Sequence, residues 1–231
     1  MNSEDSLQRF ERHLTGLAII SVPVLLLAGF LLHPRFWSFD LTRTPATLLA
    51  SFRHQPGFHV GHLLVIAAVP PTLLMLSRIK AMLSRQGRSW GFWGAVIGGV
   101  GAVGLAVDKG ALTLVLGGFD TLSDAQLAQA TPALQVIADR SGLLAVTWLL
   151  VLLPIGAALQ IVGLYREGRL PRWQATLTIV GLLLLLNPDI EIISAAGALL
   201  MATGYLPLGL RELTAPRPAP SPASPPLAVS H

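Results

Sequence analysis

The chain has 231 residues, 52% of them hydrophobic and 12% charged, with a mean hydropathy of +0.63. Soluble domains carry about 25% charged residues, so this composition excludes an ordinary soluble domain and points to a chain dissolved in lipid. The net charge of +4 sits in short basic segments beside apolar runs, none long enough for a nucleic-acid arm, and the lack of cysteine excludes disulfides and thiol chemistry.

Residues 1–13 form a polar leader that contains Glu4, Asp5 and Glu11. Those acids do not suit a cleavable signal, and no small-x-small cleavage site follows before His33-Pro34, so the first apolar run, 14–32, is read as a retained span. The connection 33–57 carries Phe36, Trp37 and Phe39, which suit a membrane interface, and then an Ala-Thr-Leu-Leu-Ala stretch able to lie on the surface. A second run, 58–77, contains Pro70-Pro71 and leads into a basic hairpin, 78–88.

The third run begins at Trp90 and leaves the membrane between Lys109 and Phe119, giving a span of 90–112. Residues 121–141 are polar, with Ser123 placed to cap a short helix that Pro132 interrupts. The fourth run is 143–164, the fifth 173–187 and the sixth 190–210. The fifth is short for a bilayer core that needs about 20 helical residues, so a fused, kinked element is the alternative reading. Between the last two, Asn187 suits a cap, Pro188 a first helical position, and Asp189 and Glu191 the positive end of a helix dipole. The 214–231 tail alternates Pro with Ala and Ser and is predicted to be disordered on composition.

The expected fold is therefore all-α: a polytopic membrane protein with a six-helix domain over 14–213. Eleven Lys and Arg fall on the N-terminal side of the membrane and four (Arg35, Arg43, Arg53, Arg140) on the other, so both termini are assigned inside by the positive-inside rule. A bacterial inner (plasma) membrane is the expected location, with the lipid bilayer as the first partner.

Chemistry-bearing residues are few. In the third span, Gly91, Gly94, Gly98 and Gly101 follow the helical i, i+3, i+4 rhythm, and after Leu105 the next member is Asp108. Gly94 and Gly98 also form a GxxxG pair suited to close helix packing. Asp108 is thus expected to face the bundle near its outer mouth, with Lys109 beside it. A charge within an apolar segment is costly and marks a functional candidate, although a helix-end pair solvated by headgroups is the plainer reading.

His33, His59, His62 and Glu191 map to the same outer depth. Two imidazoles on separate helices suit an axial haem pair, and three with an acid suit zinc, so a haem- or zinc-dependent enzyme or electron carrier is one alternative. The expected state is nonetheless without cofactor, since no HExxH is present. No Walker loop, dinucleotide fingerprint or nucleophile elbow occurs, so neither nucleotide nor nucleic acid is an expected partner.

His62-Leu63-Leu64, Pro70-Pro71, the Ser77-Arg78 exit, the basic hairpin and the glycine-rich third span resemble a pattern in uncharacterised bacterial multispan inner-membrane proteins. The likeness covers about a third of the chain, and that group implies no activity. The leading expectation is a non-enzymatic transporter-like, sensor or accessory subunit with an outward-facing polar pocket built from His33, His59, His62, Asp108, Lys109 and Glu191. A structural alternative uses the glycine face to dock a partner membrane chain or a second copy.

Overall fold

In lipid a chain must satisfy its backbone polar groups internally, and long apolar runs do so by closing into helices. A computed structural model describes residues 3–39, 44–187 and 190–214, and every regular element among them is helical. They run as α1 (Ser3–Leu31), α2 (Pro45–Phe52), α3 (Pro56–Ala67), α4 (Val69–Met82), α5 (Arg88–Asp120), α6 (Asp124–Gln129), α7 (Thr131–Asp139), a 3-10 helix (Gly142–Val151), α8 (Leu152–Arg166), α9 (Arg172–Leu184) and α10 (Glu191–Thr214). Residues 215–231, expected to be disordered, lie outside the described residues, as do Pro188 and Asp189.

Five helical stretches are long and apolar enough to cross a membrane: Arg9–Leu31, Pro56–Met82, Arg85–Asp120, Thr131–Arg166 and Glu191–Thr214. The expected fifth span is the one that falls short. α9 has 13 residues, about 20 Å at 1.5 Å per residue, against a hydrocarbon core of about 30 Å. Asn187 ties its end to α10: its amide nitrogen donates to the Leu184 carbonyl (2.6 Å) and to Ser194 Oγ (2.9 Å), and its oxygen accepts from the Ile190 amide (2.9 Å).

Three other elements differ from expectation for physical reasons. The second span is interrupted at Ala68, between α3 and α4, because Pro70 and Pro71 have no amide hydrogen to return to the preceding turn. α5 runs on to Asp120, beyond the expected exit at 112, because Arg53 caps its end: Nη1 donates to the carbonyls of Asp120 (3.1 Å) and Leu122 (2.8 Å). The fourth span begins as ten residues of 3-10 helix, far longer than the usual turn. Its three-residue rhythm sends Leu143, Val146 and Leu149 outward, 95%, 52% and 40% exposed, while Thr147 is buried.

Helix contacts are close where glycines meet. A Cβ on Gly156 would strike the Gly98 backbone, and one on Gly94 would lie 2.6 Å from the Gly156 carbonyl oxygen, so α5 and α8 touch main chain to main chain. Gln160, fully buried in this seam, donates from Nε2 to the carbonyls of Leu76 (2.8 Å) and Gly91 (3.3 Å). The glycine face of α5 is thus filled by α8 and by Leu76 of α4.

The bundle has two polar ends. At one, Arg78 pairs with Glu11 (3.3 Å), Glu167 accepts from the amides of Ser84 (2.6 Å) and Gly87 (3.1 Å), and Arg211 donates to the Arg169 carbonyl (3.1 Å). At the other, α2, α3, α5 and α7 bury a small apolar core of Leu48, Phe52, Phe58, Leu116 and Leu134. α2 begins in a capping box between Thr44 and Thr47, and α6 in one between Ser123 and Gln126.

Candidate functional site

The second end gathers most of the charge that lies deep in the chain. On α5, Gly91, Gly94, Gly98, Gly101 and Asp108 are all buried, so the packing face carries the acid inward with it. Asp108 is only 1% exposed. Lys109 Nζ lies 3.3 Å from its Oδ2 and Arg140 Nη2 lies 3.7 Å from its Oδ1. The Lys109 contact is one of charge and not a directed hydrogen bond, since Oδ2 has no hydrogen-bond partner among the described residues.

Arg140 is held by its backbone and by a ring. It ends α7 in the left-handed conformation (φ 47°, ψ 43°), where its amide closes onto the Ile137 carbonyl (3.1 Å), and its guanidinium lies 5.0 Å from the centre of the Trp148 ring. Nothing in the sequence assigned it a role beyond the charge count. The available signal was that it is the only basic residue of the 121–141 connection.

His33, just past α1, stands 3.7 Å from Glu191 at the start of α10, both largely buried. Its pKa is lowered to about 4, by burial first and then by Lys109 and Arg35, so near neutral pH it is uncharged and the contact with Glu191 is polar without being an ion pair. The His62 ring is 6.3 Å from that of His33, and Phe58 stands against both, at 4.1 Å and 5.4 Å between ring centres.

The six expected residues therefore divide into three neighbourhoods. His33, His62, Lys109 and Glu191 share one pocket. Asp108 lies behind it, gripping Lys109 and Arg140 from the side of Leu144 and Thr147. His59, one turn from His62, turns instead to Asp120 (3.6 Å), which also accepts from the His54 amide (2.9 Å). Among the described residues, no three His, Asp or Glu side chains converge as a metal cage requires.

Two cavities meet at this cluster. The outer one, about 50 Å³, is lined by His33, His62, Lys109, Arg140 and Glu191 together with apolar residues of α2 and α7. The inner one, about 120 Å³, extends from Lys109, Arg140 and Glu191 into the bundle, among Leu26, Val65 and Met75 and down to Tyr205. The three charged residues common to both form a partition between a polar vestibule and an apolar chamber.

Comparison with protein-family models, with curated proteins and with solved structures gives no significant match.

Proposed function

We propose that this is a six-span plasma-membrane protein with both termini inside, and that it is a non-enzymatic transporter-like, sensor or accessory protein binding a small polar ligand in an outward-facing pocket. The observation that carries this reading is the outer cavity, where His33, His62, Lys109, Arg140 and Glu191 come together from five separate segments of the chain. Such convergence in a concave site is the usual mark of ligand binding. The mixture of neutral imidazole, two cations and a carboxylate suits a ligand that both donates and accepts hydrogen bonds.

Orientation and span number rest on two supports. The excess of basic residues, eleven against four, favours the N-in, C-in arrangement. The contact of Arg211 with Arg169 and that of Glu191 with His33 favour α9 joining opposite ends of the bundle, with its turn to Asn187 adding length.

A thermal-shift screen of small polar solutes against the purified chain tests the reading. The expected result is a solute that raises Tm, with the rise abolished in Glu191→Gln. Failure of every solute to stabilise the protein, or equal stabilisation of the variant, contradicts it. Topology is tested separately with single cysteines at Ser84 and Ser123, which a membrane-impermeant thiol reagent should distinguish by side.

A further inference from the structure

The inner cavity differs in character from the vestibule above it. Its walls are mainly apolar side chains, and its charged residues are confined to the partition. Thr72, Asn187 and Ser194 also line it, but their polar groups are hydrogen-bonded to the protein, and Tyr205 differs from them. It is completely buried, it lines the cavity, and its hydroxyl has no hydrogen-bond partner among the described residues. A hydroxyl left without a partner in an apolar surrounding is destabilising, and a ligand oxygen placed against it would recover that cost.

Two further observations narrow the ligand. The cavity measures about 120 Å³, close to the roughly 150 Å³ of an apolar cavity that takes one benzene ring. Apart from that partition the described lining carries no charged side chain, so an ionised ligand body would hold an uncompensated charge in a low-dielectric site, and an uncharged one would not.

We propose that the inner cavity binds an uncharged, lipid-soluble, one-ring compound bearing a carbonyl oxygen, the chemistry of a quinone or cyclic enone, with Tyr205 donating to that oxygen. The apolar body replaces contacts among Leu26, Val65 and Met75, and the hydroxyl supplies the specificity. A site built around a hydrogen-bond donor rejects an isosteric ligand that lacks the acceptor. The site adjoins the polar vestibule, but Tyr205, Leu26, Val65 and Met75 line the inner cavity and not the vestibule.

The test uses the full chain in nanodiscs and three one-ring probes without ring methyl groups: benzoquinone, benzene, and an anionic benzoquinone sulfonate. Calorimetric titration is expected to show the quinone binding about tenfold more tightly than the hydrocarbon, as one hydrogen bond of about 1.4 kcal/mol requires, and the sulfonate not binding. Tyr205→Phe, which removes only an unpartnered hydroxyl and should fold, is expected to bind quinone and hydrocarbon alike. Equal binding of the two by the wild type, binding of neither, tight binding of the sulfonate, or an unchanged preference in Tyr205→Phe would each overturn the proposal. Loss of the quinone site with vestibule binding intact, or the reverse, separates the two readings.

Discussion

Arg140, in the left-handed last turn of α7, reaches across to Asp108 on α5 and stands 3.7 Å from a carboxylate that is 1% exposed. Lys109 holds the other oxygen at 3.3 Å. This one carboxylate faces two cations. Asp108→Asn should therefore leave two under-compensated positive charges and destabilise the protein by about 3–5 kcal/mol. Adding Arg140→Gln should recover part of that loss. Thermal unfolding in detergent measures both, and a double variant no more stable than Asp108→Asn would deny the coupling.

Stability should also depend on pH through His33. Its folded pKa is about 4 against 6.5 for the free side chain, so between those values the unfolded chain takes up a proton that the folded chain refuses. Stability contributed at neutral pH is then lost as pH falls from about 6.5 to about 4, by roughly 3 kcal/mol in total, and changes no further below that. The groups facing His33 are Glu191, His62, Lys109 and Arg35. His33→Gln should flatten the slope of Tm against pH in this window.

The α5–α8 seam should tolerate no added volume. Gly156→Ala would push a methyl group into the Gly98 backbone, which has no rotamer to offer, at about 1–3 kcal/mol. Gly99→Ala is the control, because nothing lies within 4 Å of its Cβ position. Its Tm should match or exceed that of the parent, and equal losses in the two variants would refute main-chain contact as the cause.

Arg53 should matter for the outer layer more than for the bundle. Besides the α5 carbonyls it reaches Asp124 at the start of α6 (3.2 Å). Arg53→Ala should raise hydrogen exchange in residues 116–124 and leave exchange around Gly98 unchanged. Faster exchange throughout would show that the residue supports the whole fold.

The sequence already contained the signals for much of this arrangement, and they were of the local kind. Ser123 announces a helix start through a side chain that bonds within its own turn, and Pro132 marks the start of α7. The glycine rhythm from Gly91 to Gly101 carries Asp108 onto the buried face because both share one helix. The 3-10 geometry of Gly142–Val151 was not legible, since a nearly uniform apolar run carries no periodicity to separate three residues per turn from 3.6. Nor was the division of the histidines. His59 and His62 share a helix face by spacing, yet Asp120 draws one and the Phe58–His33 pair the other, which only tertiary packing decides. Arg140 stayed unassigned for the same reason, because its partners come from α5 and the 3-10 helix.

The most direct test of the outward-facing pocket is a single cysteine at Ala138, on the α7 wall of the vestibule, in a chain that has no other cysteine. In sealed, right-side-out vesicles, a small impermeant thiol reagent should label it, and Glu191→Gln should alter the labelling rate, while a cysteine at Val100, exposed in the apolar middle of α5, stays unreactive. Labelling only from the opposite side of the membrane, or no labelling from either, would contradict an outward-facing polar pocket.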